Sequence, residues 1–246
     1  MRKFAMKAMT IVMGLCIILA LPAFVQADGS WSDDFNDGNL NGWSKSDSSS
    51  VVQDGMYRGT GPDQTSIVHL SNVSVGSWTF DVVHFGDWKV IGMMVDIVFI
   101  GGQGGTASAY GYILRPWYRY LESLDQFDFQ LVKRLEGEDT ELAFVSGPKG
   151  FDMTGALFQF NITRTVGGLM TVRFNGTEIM SVTDTDISTS ENFEISLGRD
   201  MAIDNIVVIQ APAEGAPAEI PWEYLALGVG GVAVVIIVVL VVLRRR

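Results

Sequence analysis

The chain has 246 residues, of which 28 are acidic and 17 basic, and its formal net charge is −11. That balance argues against nucleic acid as a partner. The single cysteine, Cys16, rules out an internal disulfide and a thiolate metal centre.

Arg2, Lys3 and Lys7 precede an apolar stretch from Ala8 to Leu21, and Val25-Gln26-Ala27 closes it with small residues before Asp28. This pattern predicts a removed signal peptide over 1–27, the alternative being an uncleaved second helix that Pro22 interrupts. Leu15, directly before Cys16, is too large for a lipoprotein signal. The last segment mirrors the first. An uncharged apolar run, Tyr224 to Leu243, ends in Arg244-Arg245-Arg246. At ~1.5 Å per residue such a run spans roughly 30 Å as a helix, the thickness of a bilayer core. The arginines place the C-terminus in the cytoplasm. The expected topology is a single-pass cell-membrane protein with segment 28–210 outside, a proline-containing stalk at 211–223, a transmembrane helix at 224–243 and a cytoplasmic tail at 244–246. Six of the 17 basic residues lie in the two terminal segments, which leaves 11 against 28 acidic and a charge near −17 on the remainder.

Within 28–210 there is no helical period. Short β-branched and aromatic stretches alternate with Gly, Asp, Asn and Ser, which predicts an all-β domain. The expected strands are Ser66 to Leu70, Trp78 to His84, Val90 to Ile100, Ala107 to Leu114, Phe127 to Leu135, Glu141 to Val145, Leu157 to Thr165, Leu169 to Phe174, Thr177 to Val182, Phe193 to Leu197 and Ile203 to Ile209. Alternation is clearest in Phe158, Phe160, Ile162 and in Met170, Val172, Phe174. Gly167-Gly168 and Asn175-Gly176 read as tight hairpin turns. Gly101, Gly102, Gly104 and Gly105 read as a flexible loop, since no Lys-Ser/Thr or helix follows to make a phosphate cradle.

The opening Trp31-Ser32-Asp33-Asp34-Phe35-Asn36-Asp37-Gly38-Asn39-Leu40-Asn41-Gly42-Trp43, followed by Val51-Val52-Gln53-Asp54-Gly55-Met56-Tyr57, resembles the N-terminal strand region of extracellular concanavalin A-like (laminin-G-like) jelly-roll domains. Ile195-Ser196-Leu197-Gly198 with Ala202-Ile203-Asp204-Asn205-Ile206-Val207-Val208 is similar to the final strand of that family, and Arg173-Phe174-Asn175-Gly176-Thr177 to its late hairpin. The resemblance implies an antiparallel two-sheet sandwich with its first and last strands adjacent. It also implies binding of glycans or proteins, with catalysis in some relatives. Fold alone does not choose among these.

Glycoside hydrolysis would need two carboxylates facing one cleft. The nearest acids, Glu122, Asp125 and Asp128, are three apart, which on a strand sends neighbours to opposite faces. Glu191 and Glu194 share that spacing. His69 and His84 are the only histidines, too few for a zinc site without carboxylate help. Asp33, Asp34 and Asp37, with Asp204 if the terminal strands pair, gather oxygen donors suited to a structural calcium ion. The other reading of that segment is a pair of turns at Asp37-Gly38 and Asn41-Gly42.

For a ligand, Trp117, Tyr118, Arg119 and Tyr120 form an aromatic and basic segment, with Trp88 as a further contact. Pro116 is expected to break the preceding strand and expose them, while Tyr110, Tyr112 and Leu114 share one strand face, whose alternative reading is an inward, core-packing face. Sequons at Asn72, Asn161 and Asn175 are acceptors for glycosylation. Function is thus expected to be non-catalytic recognition of an extracellular glycan. A structural or adhesive protein contacting envelope proteins, and a glycoside hydrolase, are the alternatives.

Overall fold

The computed structural model describes residues 29–45, 50–60, 64–85, 95–102, 109–121, 124–149, 155 and 157–212; the side chains of 118–121, 124–127 and 148–149 lie outside that set. The chain divides into Met1–Ala211 and Pro212–Arg246, and all described strands belong to the first unit. The expected signal peptide, transmembrane helix and cytoplasmic tail lie outside the described residues. Among the described residues no helix is long and apolar enough to cross a membrane.

The N-terminal region gives four short strands, β1 (Trp31–Asp33), β2 (Trp43–Lys45), β3 (Ser50–Gln53) and β4 (Met56–Gly59). Next come β5 (Thr65–Leu70), β6 (Gly76–His84), β7 (Val95–Gly102) and β8 (Tyr110–Leu121). They are followed by β9 (Leu124–Leu135), β10 (Glu138–Lys149), β11 (Leu157–Arg164) and β12 (Leu169–Phe174). The last three are β13 (Thr177–Thr183), β14 (Asn192–Leu197) and β15 (Met201–Gln210). One sheet runs β13-β12-β11-β6-β15-β4-β3, with β1 also on β15; the other runs β10-β9-β8-β7-β14-β5-β2. Every neighbouring pair is antiparallel, so the expected all-β, two-sheet sandwich forms. The first and last strands are adjacent, with Trp31 opposite Val208 and Asp33 opposite Ile206.

Alternation builds the core. Phe158, Phe160 and Ile162 of β11 point inward beside Trp78, Phe80 and Val82 of β6. From the opposite sheet come Ile97, Phe99, Tyr112, Leu114, Phe129 and Leu131. The two layers meet edge to face, Phe129 on Phe160 at 6.1 Å between centroids and Trp78 on Phe99 at 5.2 Å, geometries that add to area burial.

Four expectations change. β1 to β4 are only three or four residues long, too short for a period-2 pattern to register. Gly101 and Gly102 belong to β7, and a Cβ on Gly102 would lie 2.0 Å from the Tyr110 hydroxyl oxygen; the residue is glycine because an aromatic ring packs on its backbone. Pro116 does not end β8, which continues to Leu121 with Pro116 opposite Phe129. Among the described residues the pairing with β7 runs as far as Leu114, and a proline just beyond the last paired residue leaves no ladder N–H missing on that side. In the turn between β11 and β12 only Gly168 has a positive φ, 77°, and the loop is a four-residue one closed by Thr165. Asn175 and Gly176, at φ 47° and 80°, form the expected two-residue turn.

Phe160→Ala should lower unfolding free energy by ~3–5 kcal/mol in denaturant titration, as for other fully buried aromatics. Leu70→Ala, at a side chain 81% exposed, should change it by less than about 0.5 kcal/mol.

Candidate functional site

Because Tyr112 and Leu114 of β8 and Phe129 and Leu131 of β9 point into the core, their neighbours Ile113, Arg115, Trp117, Asp128, Gln130 and Val132 face outward. β10 joins this face after a bulge between Glu141 and Ala143. Trp117, Asp128 and Ser146 then lie in one cross-strand row, and Arg115, Gln130 and Phe144 in the next. Trp117 is 36% exposed and Phe144 38%, whereas Asp128 between them is fully buried. Gln130 and Ser146 thus lie between two partly exposed aromatic rings at opposite corners, over the buried Asp128. Sugar rings stack on such rings while carboxylates, amides and guanidiniums fix their hydroxyls.

A charge network fills the neighbouring part of the face. The Arg115 guanidinium donates to both carboxylate oxygens of Asp96, at 2.7 and 2.9 Å, and to Asp139 at 3.1 Å. Arg134 donates twice to Asp139, at 2.6 and 3.1 Å. Since Asp96 is on β7 and Asp139 on β10, the network crosses the intervening strands on the side that carries Val98, Ile113 and Val132. These three form a small buried apolar cluster separate from the core, on the same side of the sheet as the network. Hydrogen bonding to Asp96 pushes Arg115 further above its already high range, and Arg134, then Arg115, holds the Asp139 carboxyl below the ordinary carboxylate range. Gln130 donates to Glu141 at 2.9 Å.

Of the expected ligand residues, Trp117 is on this face. Tyr118, Arg119 and Tyr120 are on β8 opposite Phe127, Gln126 and Asp125, with side chains outside the described set, and Trp88 lies outside the described residues. Tyr112 is buried; its hydroxyl donates to Asp184, and burial pushes its pKa up to about 12. Asp128, Gln130 and Phe144 were not expected as site residues. Period-2 counting outward from Phe129 and Leu131 would find the first two, but the β10 bulge hides Phe144. Among the expected acids, Glu194 of β14 is outward but buried; Asp96, the outward acid of β7, was not among them and is held by Arg115.

The acidic segment after β1 is built from turns. Asp33 accepts from the Phe35 N–H, Asp34 from Asn36, Asp37 from Asn39 and Asn39 from Asn41. The second Asp33 oxygen accepts from the Trp43 indole at 2.7 Å, so Asp33 is a poor metal ligand. Asp34, Asp37, Asn41, Asn205 and Val207 line a cleft of roughly 530 Å³. Asp204 is opposite the buried Asp81 in β6, whose one oxygen accepts from Asn205. Burial first, and the nearby carboxylates after it, push the Asp204 carboxyl upward. Among the described residues no three metal-binding side chains converge on a point. His69 stacks on Trp31 at 4.0 Å, and burial lowers its pKa.

The sequons fall at different depths. Asn72 and Asn175 are exposed, whereas Asn161 is half-buried and its amide nitrogen donates to Thr79 at 2.9 Å.

No family model and no curated protein matches this sequence. Solved structures do match in fold. The carbohydrate binding module CBM66 from Bacillus subtilis is 14% identical, with 69% of this chain and 95% of that one covered at TM-score 0.51. The exoplasmic/lumenal domain of VIP36, in a Ca2+/Man3GlcNAc-bound form, is 14% identical over 76% of this chain and 91% of that one, at TM-score 0.57. A beta-glucanase of Bacillus licheniformis is 13% identical over 76% and 100%, at TM-score 0.56. The fold is a concanavalin A-like jelly roll. At these identities the likeness fixes the jelly-roll architecture and leaves the site to its own residues.

The depressed Asp139 carboxyl contributes stability that is present at neutral pH and is lost as pH falls through its folded-state value. Asp139→Asn should therefore cost about 0.5–1 kcal/mol at pH 7 after solvent screening. The cost should vanish in acid, as read by urea unfolding at both pH values.

Proposed function

We propose that this chain is a membrane-anchored, extracellular binding module whose jelly roll holds a carbohydrate chain without catalysing a reaction. The observation that carries this reading is the outer face of the seven-stranded sheet, where the partly exposed rings of Trp117 and Phe144 flank Gln130 and Arg115. The fold neighbours support it, since a carbohydrate binding module and a glycan-bound lumenal domain share the architecture. Anchoring rests on the apolar run 224–243 and its terminal arginines, and export on the basic-apolar pattern of 1–27. Of the sequons, Asn72 is the acceptor we favour, because it is exposed outside the strands.

A non-catalytic role fits the engagement of the acids. On β7 the outward position two residues after Asp96 is Val98, so no alternating acid pair lies there, and Asp96 and Asp139 are both tied to arginines. The second reading, a glycoside hydrolase, draws on the beta-glucanase neighbour. It would require turnover that no Asp96 or Asp139 variant retains.

A calcium ion at Asp34, Asp37 and Asp204 is the reading we carry for the acidic cleft, prompted by the Ca2+ in the VIP36 form. An acid whose folded-state pKa is raised loses stability as pH rises through the interval between its unfolded and folded values. Asp204→Asn should therefore raise the melting temperature at pH 7 in chelator and leave it unchanged at pH 3. Calcium should raise the melting temperature of the parent chain and not of this variant; equal responses would remove the ion from the account.

Titration against a panel of polysaccharides checks the main reading. Saturable binding should weaken at least about tenfold in Trp117→Ala, a loss of ~1.4 kcal/mol, with the unfolding midpoint unchanged. Undiminished binding in that variant would place the ligand elsewhere.

A further inference from the structure

We infer that the outer face of the seven-stranded sheet selects uncharged polysaccharide segments longer than one sugar ring and rejects uronate- or sulfate-bearing chains. This rests on the reading of that face as a carbohydrate platform and adds the ligand class. Among the described side chains, the cations of the face are Arg115 and Arg134. Arg115 is gripped by both oxygens of Asp96 and by Asp139, and Arg134 by both oxygens of Asp139. An acidic glycan must break one of these charge-assisted pairs to gain a partner, and it would then leave a half-buried carboxylate uncompensated. Lys133 is on the inner side of β9, opposite Tyr112, and bonded to Asp184 at 2.7 Å and Asp186 at 2.5 Å, so it is not a cation of this face. Glu141 brings a further carboxylate to the face, and the ectodomain around it is strongly acidic. The local field is thus repulsive to anions.

The neutral donors and acceptors point the same way. Gln130 and Ser146 lie on the floor between the rings, in register with Arg115 and Asp128, and they suit hydroxyl groups. β8 and β10 are separated by β9, so Trp117 and Phe144 stand two strand spacings apart, roughly 10 Å, with a further two-residue stagger. One pyranose ring cannot stack on both. A chain running diagonally across β9 can.

The test uses the full chain in detergent micelles and three oligomer series of matched length: galactan, its uronate counterpart and its sulfated counterpart, with gluco- and manno-oligosaccharides alongside. Uncharged oligomers should bind at least about tenfold tighter than either acidic series at low salt. Their affinity should rise from one to several sugars and should not change with ionic strength. Asp139→Asn, which releases Arg134 and part of the hold on Arg115, should narrow the preference by raising affinity for the acidic series several-fold, its folding checked by urea unfolding. Acidic oligomers that bind the parent chain as tightly as uncharged ones, with affinity falling steeply in salt, would overturn the inference while leaving the platform standing. Loss of that binding in Arg119→Gln would name the cation responsible. Binding by no series would overturn the platform reading itself, and the inference with it.

Discussion

With no cysteine in 28–210, contact between the inner faces of the two sheets has to hold the sandwich together, and the aromatic layer where Phe129 meets Phe160 and Trp78 meets Phe99 supplies it. Each fully buried side chain of this kind contributes roughly 1.5–3 kcal/mol. The consequence for function is indirect but strict. Once Leu114, Phe129 and Leu131 must point inward, Arg115, Trp117, Asp128 and Gln130 have nowhere to go but outward, side by side on adjacent strands. A one-residue slip in β9 would bury Gln130 and expose Phe129, losing core and platform together.

The outer face is organised by a second constraint. Val98, Ile113 and Val132 form a buried apolar cluster on the outer side of the sheet, and the Arg115-Asp96-Asp139-Arg134 network lies on the same side. Individual surface ion pairs contribute little, but a network with two-oxygen contacts and half-buried members is held more firmly. Beside it Trp117 and Phe144 are each partly exposed, 36% and 38%. The acidic end of the sandwich is separate from these two residues. There the carboxylates of Asp33, Asp34 and Asp37 first serve to turn the chain between β1 and β2.

The sheets were legible in the sequence wherever alternation ran for six residues or more, as in β11, β12 and β15, and the two-residue turn at Asn175-Gly176 was legible from its dipeptide alone. Strands of three or four residues were not, because two inward positions make no pattern. Pro116 misled for a physical reason: a proline argues against a strand paired on both sides, but not against a position paired on one side, as Pro116 is with Phe129. Trp117 was found by composition, whereas Phe144 could not be, since the bulge after Glu141 resets which residues of β10 face outward. The charge network was invisible for a different reason. Asp96, Arg115 and Asp139 are brought together by sheet order, which no local spacing encodes.

The central claim is that a carbohydrate sits on this outer face, and hydrogen–deuterium exchange of the full chain with and without a saturating oligosaccharide tests it most directly. The account expects slowed exchange in peptides covering 113–117, 128–134 and 139–146, with 33–41 and 204–207 unchanged. Protection confined to 33–41 and 204–207, or to loops away from β8, β9 and β10, would contradict it.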